Sequence, residues 1–385
     1  MSLLRQFCVV FLIGIRSLPE RRWTALVIVV GMACVVGVLL SMLSVTAGIM
    51  RASLRGVDPA RVIVLARDSD CQCSDRILRS WVGTIADAPG IAKSPDGTSL
   101  IDAGLTENLP PVEGFVSGSL NLRAFGARGL ALHPRLRVVA GRMFRSGAQE
   151  VVVGAAAAEG FGLKIGSTVS QPDGPWPVVG IFSDDGSLLE SELIADADTV
   201  LASSRRGGFG YVLVQLTSPA AFPMFRDWLT ANPAINVTAE LQREYAIRRT
   251  SHSMEFFTQM SYVTGAIMAL GAIFGAVKIM YAAVRSRTRE IGTLRALGFG
   301  GASVASSIVL ETVLLSIAGA LIGAAIAWTL FEGRKIYVSG VSRLHVPLTL
   351  VVLGLAWAMA VALLSGLFPA LRAARLPAVE ALRAE

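Results

Sequence analysis

A chain of 385 residues that is 53% hydrophobic and only 16% charged, with a mean hydropathy of +0.59, is too apolar for an ordinary soluble protein. Its net charge of +7 does not point to nucleic acid, because residues 51–255 carry 20 Lys/Arg against 22 Asp/Glu while the remainder carries 15 against 6. The basic excess therefore lies in short segments beside apolar runs, as the positive-inside bias of membrane proteins produces, and not on one folded basic surface.

Residues 1–22 open with an uncharged run, Gln6–Ile15, behind Arg5. The run is too short to span a bilayer, and Arg16 and the Pro-Glu-Arg-Arg of 19–22 follow it with no small-residue cleavage site. An amphipathic helix in the cytoplasmic interface, ended by Pro19, is predicted for 1–22. Residues 23–50 are uncharged and long enough to be the first span.

The region 51–255 is large enough for one folded domain or two small ones. Apolar runs bounded by turn residues predict strands at 61–65, 150–154, 178–182 and 211–215. Helices are predicted at 76–86, at 220–229 and from Glu240 onward, the last feeding into the second span. Mixed α/β is the expected class, and 94–126, rich in Gly, Pro and Ser, supports no assignment. Cys71 and Cys73 fall in this region, where thiols tend to oxidise. A bridge between them closes only a small strained ring, so an intermolecular bridge or two free thiols stand beside it as alternatives. No metal site is expected: two sulfurs are half a zinc shell, His133, His252 and His345 are scattered, and the acidic residues 68, 70 and 75 lack the glycine of a calcium loop. Cys8 and Cys34 read as apolar packing.

Further spans are predicted at 256–284, 303–331 and 346–371, joined by a cytoplasmic segment at 285–302 and a short extracytoplasmic loop at 332–345. A cytoplasmic tail, 372–385, follows. Basic residues crowd the start of the chain, 278–295 and the tail, which puts both termini and 285–302 in the cytoplasm and 51–255 outside. Gly319 and Gly323, four apart, permit close approach of a neighbouring helix. Glu311 is the one acidic residue within a span. An intramembrane carboxylate is by default a functional candidate, but Glu311 is also close enough to Arg295 for a structural role at the cytoplasmic interface, which is the preferred reading.

Catalytic signatures are missing. The sequence has no HExxH and no GxSxG, and the sole Lys followed by Ser or Thr, Lys93, is preceded by Ala92 where a phosphate-binding loop needs glycine. No catalytic residue and no cofactor are expected in this chain. The 285–297 stretch is helix-prone and ends at Gly298. Ile291, Leu294 and Leu297 form a narrow apolar stripe, and Arg287 and Glu290 are spaced to pair across one turn. Such a helix either lies on lipid headgroups or docks into a groove of another protein, and its place between two spans favours docking.

Arg-Thr-Arg-Glu-Ile-Gly-Thr-Leu-Arg-Ala-Leu-Gly at 287–298, Leu-Glu at 310–311, Gly-Ala-Leu-Ile-Gly at 319–323 and the ending Pro-Ala-Leu-Arg-Ala-Ala-Arg-Leu-Pro-Ala-Val-Glu-Ala-Leu-Arg at 369–383 resemble the membrane subunits of MacB/FtsX-type (type VII) ABC transporters. Gly-Arg-Met-Phe at 141–144, with the following strands, is similar to the periplasmic core domain of that family. No motif within 66–126 carries the likeness. It implies an α-helical membrane protein with four transmembrane helices and a mixed α/β extracytoplasmic domain inserted between the first and second spans. It implies a coupling helix gripped by a separate ABC ATPase, carried over here to Arg287, Arg289, Glu290, Ile291, Gly292, Leu294, Arg295, Ala296, Leu297 and Gly298. ATP and magnesium would then be held by that ATPase, since this sequence departs from MacB in carrying no fused nucleotide-binding domain. The resemblance also implies location in the inner membrane, dimerisation, and mechanotransmission: ATP-driven closure passed to the outside domain. Two functions fit. One is export, with a periplasmic adaptor and an outer-membrane duct as further partners beside membrane lipid. The other is an FtsX-like regulatory complex that activates an extracytoplasmic partner such as a cell-wall hydrolase. The size of the outside domain favours export.

Overall fold

A computed structural model describes residues 22–67, 69, 72–74, 76–109, 120–286, 288, 292–293, 300–337 and 341–375. In chain order its elements begin with α1 (Arg22–Leu54), β1 (Arg61–Ala66), α2 (Arg79–Ala86), β2 (Ile101–Asn108), β3 (Asn121–Phe125), β4 (Arg137–Gly141) and β5 (Val151–Gly154). There follow α3 (Ala155–Gly160), β6 (Thr168–Gln171), β7 (Gly174–Ser183), β8 (Leu193–Asp196), α4 (Ala197–Ser203), β9 (Tyr211–Gln215), α5 (Phe222–Ala231) and β10 (Val237–Leu241). The chain closes with α6 (Gln242–Ser286), α7 (Gly301–Phe331), β11 (Lys335–Tyr337), β12 (Val341–Arg343) and α8 (Leu348–Arg375). Two compact units result. One takes residues up to Ala47, Met254–Arg334 and from His345 onward; the other takes Gly48–Ser253 with Lys335–Leu344.

The first unit is helical. Four helices are long and apolar enough to cross a membrane: Ala25–Leu54, Gln242–Ala282, Gly301–Phe331 and Leu348–Ala374. Their shared core is built largely from small side chains, with Met32, Val36 and Leu40 of α1 meeting Ala269 of α6, Ala320, Ala324 and Ala327 of α7 and Ala358 of α8. Lipid offers no hydrophobic drive between helices, so close backbone approach has to supply the attraction. Gly319 and Gly323 lie at that contact. A Cβ on Gly319 would collide with the Val29 carbonyl oxygen and stand 2.8 Å from Met32 Cβ. One on Gly323 would collide with the Ala33 carbonyl oxygen and stand 2.9 Å from Ala33 Cα. Several hydroxyls inside the helices are satisfied locally, Ser41 Oγ donating to Gly37 O at 2.6 Å and Thr312 Oγ1 to Ile308 O at 2.9 Å.

The second unit is a mixed sheet with helices. Among the described residues ten strands join in the order β10-β1-β9-β2-β3-β8-β5-β7-β4, with β6 paired to β7. β1 is apolar apart from its first residue, with the β-branched Val62, Ile63 and Val64 at its centre, and every residue in it is buried, as a central strand requires. β7 alternates, burying Trp176, Val178, Gly180 and Phe182. β2 is shared between two lobes: Ile101–Gly104 pair with β9, and Leu105–Asn108 pair with β3. At this switch a Cβ on Gly104 would collide with the Ala124 carbonyl oxygen and lie 2.6 Å from the Tyr211 hydroxyl, so only glycine fits. One continuous core, from Val62 and Val214 to Val153 and Trp176, runs beneath both lobes.

The differences from expectation have local causes. The helix predicted at 76–86 begins at Arg79, because Ile77 bridges Phe209 instead. Glu240 lies in β10 opposite Ile63, so the helix starts at Gln242. The loop predicted at 332–345 contains the hairpin β11–β12, which packs on the 3₁₀ turn Leu188–Ser191 and on α3. The spans run past their predicted ends, α1 to Leu54 and α8 to Arg375. The interface helix (through residue 21) and the tail from 376 lie outside the described residues. Cys73 is disulfide-bonded, which removes the free-thiol alternative for it, and its partner lies outside the described residues. Cys34 is a free thiol exposed on α1, not a packing residue.

Candidate functional site

α6 ends at Ser286 and α7 begins at Gly301 behind an extended Gly300. The two helix ends and the end of α8 are joined by a small apolar cluster of Val284, Val304 and Ala373, with Ile308 packed against it. The Arg372 guanidinium lies 5.5 Å from the Tyr281 ring centroid, and a Cβ on Gly301 would lie 2.6 Å from the Ala374 carbonyl oxygen. Three helices are thus held together at the end from which the proposed coupling segment departs. Within that segment Gly292 is helical and buried, and Thr288 Oγ1 donates to Arg285 O at 2.8 Å. Arg287, Arg289, Glu290, Ile291, Leu294, Arg295, Ala296, Leu297 and Gly298 lie outside the described residues. Glu311 is half-buried on α7 and makes contact with a neighbour. Ten residues from the start of the helix, it lies about 15 Å along its axis.

In the outside unit a polar cluster sits inside the sheet. Arg123 makes a two-pronged pair with Glu192, Nε to Oε2 at 2.6 Å and Nη2 to Oε1 at 3.1 Å, and Nη1 donates to Gln72 Oε1 at 2.7 Å. Burial, the largest single influence, would lower the proton affinity of this guanidinium, but the Glu192 charge, the hydrogen bonds to Glu192 and the nearby Tyr211 together outweigh burial and raise it. Asp102 is buried and accepts from the backbone N–H groups of Gly126 and Arg128, each at 3.1 Å. Burial pushes its carboxyl up to about 6. His133 stacks on Phe125 at 4.8 Å, with Nδ1 2.8 Å from Gly129 O, and burial lowers its imidazole to about 4.

A second feature joins the end of α1 to the second lobe. Arg55 Nη1 donates to Asp185 O at 2.9 Å. The turn that receives it has left-handed backbone at Asp185 (φ 51°) and Gly186 (φ 74°). Glu190 Oε1 holds the turn, accepting from Ser183 Oγ and Asp184 N at 2.6 Å and from Gly186 N at 3.0 Å. The Asp-Asp-Gly-Ser of 184–187 is a legible turn signature, but its pairing with Arg55 joins residues 130 apart and has no sequence signal. A polar cavity of about 800 Å³ opens beside α4, lined by Gln149, Asp173, Thr199, Ser203 and Arg205 among others.

Four membrane-length apolar helices with a mixed α/β domain between the first and second define a multi-pass membrane protein. The model of the MacB-like periplasmic core domain matches residues 24–232, and that of the FtsX-like permease C-terminal region matches 262–378. The chain belongs to the MacB/FtsX-type family of ABC transporter permeases. It is 28% identical over 232 residues to the macrolide export ATP-binding/permease protein MacB of Rhodopirellula baltica, covering 55% of this chain and 33% of that protein. It is 31% identical over 140 residues to the MacB of Photorhabdus laumondii, covering 36% and 21% respectively. It thus spans a third or less of the length of either relative. The extracellular domain of the noncanonic ABC-type transporter YknZ from Gram-positive bacteria aligns with 47% of this chain and 99% of its own, at 16% identity and a TM-score of 0.35.

Proposed function

We propose that this chain is the membrane subunit of an ABC transporter that exports its substrate by mechanotransmission, with ATP and magnesium bound and hydrolysed on a separate subunit that grips 285–302. Helix continuity carries the proposal. Leu241 ends β10 and Gln242 begins α6, with no loop between strand and helix. The 45 residues of α6 measure about 68 Å at 1.5 Å per residue, over twice the roughly 30 Å of hydrocarbon. An unbroken helix resists compression and twisting, so displacement at its cytoplasmic end is felt at the strand it joins.

A second permease chain is part of the proposal. Phe256, Met260, Val263, Ile267, Leu270 and Phe274 are exposed along α6 at alternating steps of four and three, the spacing of a helix–helix seam. An inner-membrane location is part of the same proposal, and the basic flanks support an orientation with both termini in the cytoplasm. The test is gentle purification of the chain from its own cells, with mass spectrometry of what accompanies it. An ABC ATPase with an adaptor supports export, whereas an ATPase with a wall hydrolase moves the function to regulation. Repeated preparations without an ATPase overturn both.

A further inference from the structure

β4 ends the sheet, pairing with β7 on one side and with no described strand on the other. All five of its residues are exposed. Val139, 66% exposed, is the bulge residue where the register with β7 shifts, and Val138 beside it is 39% exposed. Ile165, 49% exposed, extends the apolar surface, its Cδ1 lying 3.0 Å from where a Cβ on Gly141 would stand. Half of the large apolar side chains exposed among the described residues of 55–253 lie here, the others being Leu78, Leu130 and Met224. Such a concentration marks a contact surface and not scattered exposure.

Charge decides what fits. Residues 120–149 contain six arginines and no Asp or Glu, in a domain that is otherwise acidic. Arg123 is committed to Glu192, Arg142 to Glu150 at 2.6 and 2.5 Å, and Arg128 to Ser99 O at 2.8 Å. Arg137 opens β4 and is exposed, and Arg135, within range of Asp184, and Arg145, within range of Glu150, are exposed beyond its two ends. A second copy of β4 would bring the same guanidiniums against them. A lipid surface would meet the charges and the valines but not the directional row of N–H and C=O groups on a free strand edge.

We propose that β4 is a docking edge for an extended segment of a different extracytoplasmic protein, with apolar side chains at alternate positions and Asp or Glu at its ends. The segment adds to the sheet beside β4, its backbone taking the free edge, its apolar side chains covering Val138, Val139 and Ile165, and its acidic ends meeting Arg137 and Arg145. This rests on the outside location of 51–255 and not on export.

The test places a photo-reactive amino acid at Val139 in the full chain, expressed in its own cells, with the exposed Met224 as a control site. The expected product is specific to position 139, and its cross-linked peptide maps to an Asp- or Glu-flanked extended segment of another protein. Reversing Arg137→Glu with Arg145→Glu lowers the yield on the order of tenfold, with thermal unfolding unchanged. Products that are only lipid or a second copy overturn the proposal. So does a yield no higher than at Met224, or one indifferent to the reversal. A Met224→Cys variant that a membrane-impermeant maleimide does not label from outside removes the location, and the proposal with it.

Discussion

At the scale of single residues, two buried titrating groups pull stability in opposite directions. Asp102 rises from 3.8 to about 6 in the folded domain, so its contribution is present below pH 3.8 and is lost as pH climbs through 6. His133 falls from 6.5 to about 4, so its contribution is present above pH 6.5 and is lost as pH drops through 4. Between these limits the slopes largely cancel, and the outside domain should show a flat melting temperature from about pH 4 to 6. Asp102→Asn keeps an acceptor for Gly126 and Arg128 but removes one slope. Stability should then rise with pH across that window, by up to about 3 kcal/mol. Melting of the purified chain followed by near-ultraviolet circular dichroism at several pH values tests this, and a profile that stays flat in the variant sinks the assignment. In the membrane unit, Gly323→Ala must displace backbone of α1 and should lower stability by about 1–3 kcal/mol. Gly275→Ala, with nothing within 4 Å of its Cβ position, should be silent. Equal losses for the two would show that the α1–α7 approach is looser than described.

At the scale of elements, the prediction for the coupling segment is that Leu294→Asp abolishes association with the ATPase while membrane insertion stays intact. Unchanged co-purification would leave the apolar stripe of 291, 294 and 297 without a partner. A four-residue Gly-Ser insertion after Arg249, inside α6, addresses the other end of the helix. ATP hydrolysis by the assembled complex should persist while the outside output is lost, and retention of that output would rule out α6 as the transmitting element. The hairpin β11–β12 is a separate attachment to the second lobe. Replacing 336–342 with a short Gly-Ser loop should raise hydrogen exchange at 155–160 and 188–191 and leave β1 and β9 protected. Exchange that rises in β1 and β9 as well would mean that the two lobes respond as one body.

At the scale of the whole molecule, the parts legible from sequence are those whose signal is local. Long apolar runs announced the four helices, and Val/Ile-rich runs announced β1 and β9. β2, Ile-Asp-Ala-Gly-Leu-Thr-Glu-Asn, has neither alternation nor a β-branched run, and its strand conformation is imposed by β9 and β3 on either side. β11 and β12 have three residues each, too short for any period to register. The coupling segment rests on helix-prone composition and family likeness alone, since of its ten named residues only Gly292 lies among the described ones. The Arg55 contact and the β4 edge appear only once distant segments are brought together.

The pairing of β1 with β10 sets Val62 opposite Leu241 and Ala66 opposite Val237, so the first and last strands of the outside domain lie side by side. The domain is therefore an insertion whose entry and exit share one place. Its content can be exchanged during evolution without changing the spacing of the helices that carry it. It also cannot close until its last strand has been synthesised and exported. A chimera that keeps β1 and β10 but takes 67–236 from a relative should insert and fold as a permease with a foreign specificity outside, and the same cut made one strand further in should not.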